Sequence, residues 1–137
     1  MHELRVGDVL RFAELTVTVY AGDHVDPTFA LRADDGTSTL AYTSDTRTGE
    51  RALAVARGAE ILLTEATLPP EFAGRAAHMT PAEAGELASE AGVATLVLAH
   101  LWPTVDRIAA AAEAAASFSG RIIVANELDE ISPTKEV

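Results

Sequence analysis

No cysteine occurs anywhere in the 137 residues, only one lysine does (Lys135), and aromatic residues make up just 5%. The missing cysteine excludes a disulfide framework and any thiolate metal site, and it fits a reducing cytoplasm. Positive charge is also scarce: 10 Lys and Arg stand against 21 Asp and Glu, a formal net charge of −11. Proteins that bind extended nucleic acids carry a basic footprint that meets the phosphates. None is present, so extended nucleic-acid binding is not expected of this chain alone. A small anionic ligand stays open, because a bound metal ion reverses the local field of an acidic protein. No apolar run approaches the roughly 20 residues of a membrane span. The opening MHELRVGD has no basic stretch followed by an apolar one, so no signal peptide is expected.

What is present is enough to build a core. The chain is 48% hydrophobic and 23% charged, and its length reads as one domain, residues 1–137. Val9 to Phe12 offers a short strand. Leu15, Val17 and Val19 alternate with Thr16, Thr18 and Tyr20, the period of a half-buried strand. Asp34-Asp35-Gly36 is a turn signal between Phe29 to Ala33 and Thr39 to Thr43, so the opening reads as an antiparallel meander. After Asp45 helices and strands alternate. Glu50 to Arg57 is a short helix closed by Gly58. Thr80-Pro81-Ala82-Glu83 is a capping box with proline at the first helical position. It opens a helix with Ala84, Leu87, Ala88 and Ala91 on one face, ending at Gly92. A last helix starts near Val105, with Ile108, Ala109 and Ala112 expected inward.

Ile61-Leu62-Leu63, Leu96-Val97-Leu98 and Ile122-Ile123-Val124 are continuously apolar, as strands covered on both faces usually are. The helices can cover one side only. The fold class is therefore α/β, a mixed β-sheet with helices on one face, and the other face asks for a second sheet or another subunit.

Candidate chemistry gathers where strands enter loops, which is where open α/β folds place their sites. His24, Asp45 and His100 each stand at such a junction, and Thr64-Glu65-Ala66-Thr67 adds a carboxylate at a fourth. Taken singly, each His reads as a hydrogen-bonded rim residue and Asp45 as a turn or helix-capping aspartate. Together, His and Asp suit a divalent ion such as zinc, with manganese the alternative in a carboxylate-rich site.

Five segments in order resemble the C-terminal half of a metallo-β-lactamase-fold hydrolase of the ribonuclease Z-like and phosphodiesterase-like branch. LTVTVYAGDHVDPTFALRA is similar to that branch's strand, metal-binding His, short loop and next strand. LAYTSDT resembles its "ysGDT" motif, ILLTEAT its "HEAT" element, AHMTPAEAGELASEAGV its "HST" loop and helix, and LVLAHLWP its "LtHxxP" motif. The resemblance runs from about Val6 to about Ile131 and implies one half of an αββα sandwich.

Position by position, it implies that His24 binds the first metal, Asp45 bridges two, and His100 binds the second. It also implies that Glu65 orients His78, which acts as general acid on the departing group. The implied reaction is hydrolysis of a phosphodiester or another hydrolysable bond by a metal-activated water. Three departures stand out: Ser44 replaces the Gly of "GDT", Met79 the Ser of "HST", and Thr64 the His of "HEAT". The family's principal motif, H-x-H-x-D-H, belongs to the N-terminal half and is absent, and His2 is isolated and cannot replace it. With three of the expected ligands, the chain alone is expected to bind a divalent ion weakly or not at all and to be weak or inactive as an enzyme. A non-catalytic half-domain or truncated fragment, which needs a partner chain or pairs as a homodimer, is the second reading. A small α/β enzyme using Asp45 of DTRT as a nucleophile is the third.

Overall fold

Strand order in the sheet equals strand order in the chain. The computed structural model describes residues 3–133; His2 and Lys135 lie outside them. The strands are β1 (Val9–Phe12), β2 (Leu15–Ala21), β3 (Phe29–Asp34), β4 (Thr39–Tyr42), β5 (Ile61–Glu65), β6 (Thr95–Ala99) and β7 (Arg121–Val124). β1 to β4 form the expected antiparallel meander. β4 to β7 are parallel and are joined by α1 (Glu50–Ala56), α2 (Pro81–Ala91) and α3 (Arg107–Ala115). Parallel crossovers are right-handed almost without exception. Each crossover here steps one strand further in the same direction, so a single handedness puts all three helices on one face. Among the described residues, no helix is long and apolar enough to cross a membrane.

The core lies between those helices and the sheet. Ala41, Leu62, Leu96 and Ile122 form one cross-strand row. The first three are fully buried, packed with Leu53, Val55, Leu87, Ala88 and Phe118. Helix α2 has the capping box its sequence requires: Thr80 Oγ1 accepts from Glu83 N–H, and the Glu83 carboxylate accepts from Thr80 N–H. Its buried face is the expected Ala84, Leu87, Ala88 and Ala91, with Pro81 and Gly85 added.

Helix α3 departs from its sequence pattern. It starts at Arg107 with Asp106 as N-cap, and its buried residues are Ala110 and Ala114. Ile108 is 83% exposed, and Ala109 and Ala112 also face outward. The reason is the closeness of α2. A Cβ on Gly85 would meet Ala114 O at 2.4 Å. Only the smallest side chains fit such a crossing, so the alanine edge turns in and the isoleucine turns out. In a run of alanines, apolar periodicity gives no way to choose between these registers.

The opposite face carries the rows Leu40–Ile61 and Tyr42–Leu63–Val97–Ile123, with Val17, Val19 and Leu31 beyond them. No helix covers it. The tail following β7 covers part: Asp129 and Ile131 line a hollow with Leu40, Ile61, Leu63 and Val97. Val97 and Ile61 are buried, whereas Phe12 is 59% exposed and Tyr42 39% exposed. The face is thus open toward the meander and partly closed over the parallel strands, a cover that the strand pattern alone did not reveal.

Two carboxylates depart from ordinary values. At the β3–β4 turn, the Thr37 hydroxyl, with the Thr37 and Ser38 N–H groups, holds Asp35 below the usual range. On α3, burial raises Glu113, with the nearby Glu71 charge adding to it, and its Oε2 has no hydrogen-bond partner among the described residues.

Two predictions follow from the α3 environment. Gly85→Ala is expected to lower stability in a denaturant melt. The helix-propensity gain is about 1 kcal/mol, and overpacking against the Ala114 backbone costs more, about 1–3 kcal/mol. For Glu113 the sign is set by its raised folded-state pKa: ionisation costs the folded state, so stability falls as pH rises past the unfolded carboxyl value. Glu113→Gln should therefore raise Tm relative to the wild type more at pH 7 than at pH 4 in matched thermal scans.

Candidate metal centre

Because β1 to β4 alternate in direction and β4 to β7 do not, β2, β4, β5, β6 and β7 all run the same way. The loops after β2, β4, β5 and β6 therefore open at one end of the sheet. They carry His24, Asp45, Glu65 to His78, and His100 respectively. The topology thus brings together residues that are remote in the chain.

Glu65 is the fixed point. It is 2% exposed, at the last position of β5. Its Oε1 accepts from Thr46 N–H at 2.7 Å and lies 2.8 Å from His78 Nδ1, and its Oε2 accepts from Met79 N–H at 3.2 Å. A carboxylate beside two donors already is an acceptor for the third, so His78 Nδ1 carries its proton toward Glu65. In the neutral ring this leaves the Nε2 lone pair directed away from Glu65. That atom lies 3.1 Å from His24 Nε2. The two rings meet edge to face, with centroids 4.6 Å apart.

Asp45 and His100 complete the cluster. Asp45 Oδ1 is 3.2 Å from His100 Nδ1, and both side chains are about half exposed, at 45% and 54%. His100 Nδ1 is also 2.9 Å from Thr67 Oγ1, and its ring centroid is 5.9 Å from that of His78. Two sets of donor atoms, His24–Asp45–His78 and Glu65–His78–His100, each lie within 4.8 Å of one another. All five sequence-selected residues therefore stand at one sheet end. His2 lies outside the described residues.

The departures from the motifs have local explanations. Ser44, at the Gly position of "GDT", has φ 57°, the left-handed region that favours glycine. Its hydroxyl donates to Phe29 O at 2.6 Å, which ties that conformation to β3. His100 also has positive φ, 52°. Backbone strain of this kind collects at functional sites. Met79, at the Ser position of "HST", is fully buried in the core. Thr64, at the His position of "HEAT", is buried, and its hydroxyl pairs with that of Thr43 at 2.8 Å.

Thr67 is a residue of the candidate site that sequence reasoning missed. Its hydroxyl holds the His100 ring, and its carbonyl accepts from Trp102 N–H at 3.2 Å. The only sequence signal was its place directly after Glu65-Ala66 at a strand end. Thr46 was missed too, because its contribution is a backbone N–H.

The first 101 residues match the family model described as "Beta-lactamase superfamily domain". The chain belongs to this family. It is 30% identical over 140 residues to the protein Rv1339 of Mycobacterium tuberculosis (strain ATCC 25618 / H37Rv), covering 96% of this chain and 50% of that one. It is 37% identical over 99 residues to ribonuclease Z of Thermobifida fusca (strain YX), covering 68% of this chain and 31% of that one. In three dimensions it is similar to the metallo-β-lactamase-fold protein YhfI from Bacillus subtilis. There the TM-score is 0.83 at 29% identity, over 89% of this chain and 51% of that one. The chain spans about half the length of Rv1339 and YhfI. The fold is that of the metallo-β-lactamase family, and the family is one of metal-dependent hydrolases. This membership leaves no place for the reading of Asp45 as a phosphoaspartate-type nucleophile.

The Glu65 network makes a stability prediction. Glu65→Ala removes the shared acceptor of Thr46 N–H, Met79 N–H and His78 Nδ1. A buried group left unsatisfied costs about 1–3 kcal/mol. The variant should therefore lose about 3 kcal/mol or more in urea melts, well beyond the loss for His100→Ala at the exposed rim.

Proposed function

We propose that this chain is the C-terminal, ligand-bearing half of a metal-dependent phosphodiesterase, whose full site also needs the H-x-H-x-D-H donors of the family's N-terminal half. The observation that carries this reading is the buried Glu65–His78 dyad beside His24, Asp45 and His100, in a chain of the metallo-β-lactamase family. The donor set fits a divalent ion: imidazole and carboxylate without thiolate suit zinc, with manganese the alternative. His24, Asp45 and His100 would hold it. When bound, such ions supply Lewis acidity to a phosphoryl group and acidify water.

The chain's own residues do the rest. Glu65 fixes the direction of the His78 ring by accepting from Nδ1–H, and the doubly protonated ring delivers its Nε2 proton to the leaving oxygen. Thr67 fixes the His100 ring, and the Ser44 tie to β3 sets the position of Asp45. A small phosphodiester is the substrate class. One relative is named ribonuclease Z, and RNA is a phosphodiester, but a net charge of −11 disfavours a long polyanion on this chain alone. The cysteine-free composition suits a cytoplasmic setting.

A second reading, a half-domain paired with another chain or with itself, is favoured by the open apolar face that exposes Phe12 and Tyr42. Pairing two such sheets would bury it. A symmetric dimer would still lack H-x-H-x-D-H.

The test is hydrolysis of two phosphodiesters, one with a p-nitrophenol and one with an alkyl leaving group. Assays compare the chain alone with the chain co-expressed with the N-terminal half of the Mycobacterium tuberculosis relative. The chain alone should be weak or inactive, and the pair active. In the pair, His78→Ala should depress the alkyl ester by about 10²–10⁴-fold, the range of general-acid catalysis, and the p-nitrophenyl ester far less. Equal losses on both esters would remove the proton-donor role, and a pair inactive on both would remove the phosphodiesterase reading.

A further inference from the structure

We propose that Trp102 is a specificity residue of this site, its indole a stacking platform for a planar aromatic ring carried beside the phosphate of the ligand. The proposal rests on the phosphodiesterase reading and narrows its substrate class to phosphate esters that bear such a ring.

Exposure comes first. Trp102 is the only tryptophan in the chain, and it is 51% exposed. Tryptophan is well buried on average. Among the described residues, its indole N–H has no hydrogen-bond partner and its ring no aromatic partner. An indole left so gives up apolar burial with nothing in the chain to offset it. The other two loops that carry an imidazole of the cluster do likewise. Val25 follows His24 directly and Phe72 lies on the loop that leads to His78, and both are exposed. A few polar groups among apolar side chains are the make-up of a small-molecule site.

Fixing comes second. Trp102-Pro103-Thr104-Val105 is a β-turn in which Val105 N–H donates to Trp102 O at 2.8 Å. Proline stands at its second position, where a fixed φ suits the turn. On the other side, Trp102 N–H donates to Thr67 O at 3.2 Å. The main chain is thus held at both ends of the residue while the indole itself is left unspent. Thr67 also places this residue relative to the cluster, because its hydroxyl lies 2.9 Å from His100 Nδ1. One threonine therefore ties the Trp102 backbone and the His100 ring together. Two residues of chain span at most about 7 Å, so the Trp102 and His100 Cα atoms are no further apart than that.

Chemistry comes third. Tryptophan has only two side-chain torsions to order on binding, and here the backbone beneath them is already held. Its flat face suits planar rings, and one stacked base is worth about 5–150-fold in affinity. Stacking also suits the charge of the chain. A formal charge of −11 opposes an approaching phosphate, whereas a neutral ring meets no such opposition. A nucleoside and a simple aryl group both offer that ring.

The test uses the single indole N–H, which gives one ¹H–¹⁵N signal that reports on Trp102 alone. The purified ¹⁵N-labelled chain is titrated with adenosine 5′-monophosphate, phenyl phosphate and ribose 5-phosphate. The two ring-bearing phosphates should shift the indole signal saturably, together with the backbone signals of Thr67 and Leu101, and ribose 5-phosphate should not. The midpoint should lie at least about tenfold below that of free N-acetyltryptophanamide, whose indole is not held in place. The lower of the two midpoints tells a nucleoside-type ring from an aryl-type one, and either supports the proposal. Trp102→Ala should weaken the Thr67 response about 5–150-fold, and Trp102→Phe should restore most of it. Circular dichroism confirms that each variant is folded, and the wild-type titrations decide the matter for any that is not. An indole signal that no phosphate moves, or that ribose 5-phosphate moves equally, overturns the proposal. So does a midpoint equal to that of N-acetyltryptophanamide, or a signal that moves with protein concentration instead of ligand, which would assign Trp102 to a contact between chains. Binding is read without turnover, so such a failure leaves the phosphodiesterase reading standing.

Discussion

One buried carboxylate organises the end of the sheet where the candidate ligands gather. Glu65 closes β5 and binds three donors, one from the β4–α1 loop and two from the β5–α2 loop. Asp45 precedes Thr46, whose N–H is one of those donors, and His78 supplies another. The separation of the candidate ligands is thus fixed by hydrogen bonds to a group that need not touch an ion or a substrate. The acceptor capacity of a carboxylate, about four lone-pair sites, is what lets a single residue do this. An amide or hydroxyl in its place would leave at least one buried donor without a partner.

The sheet sets the second constraint. Strands that follow one another in order, each crossover turning the same way, leave one face for helices and one for something else. Alanine and glycine allow α2 and α3 to approach closely on the first face. On the second, aliphatic residues are half covered by the segment after β7. The same topology aligns the ends of five strands, so the gathering of the candidate ligands and the open face are two results of one arrangement.

Much of this was legible in the chain, and the parts that were not share a physical cause. The meander, the three helices and the five candidate residues announce themselves locally, through alternation, capping and junction position. Thr80 and Glu83 bond to each other across a single turn, so nothing distant can override them. The inward face of α3 depends on how near another helix comes, and Ile108 carries no record of Gly85. Thr67 and Thr46 matter because of what lies across the sheet end from them, and Thr46 acts through a main-chain atom that every residue but proline possesses. The placing of His78 against His24 likewise depends on two loops 54 positions apart. Short-range bonding is written in short-range sequence, whereas contacts made by folding are not.

Sequential strand order also bears on how the chain acquires its shape. Each strand pairs with the one made just before it, so no pairing waits for a distant segment, and loop-closure entropy is met in small steps. The hairpins of the meander can form first and offer an edge to β4, and each crossover unit then adds one strand to an edge already in place. A sheet grown this way can be extended or divided at a joint between units without unthreading the rest. The face without helices plays no part in joining one unit to the next.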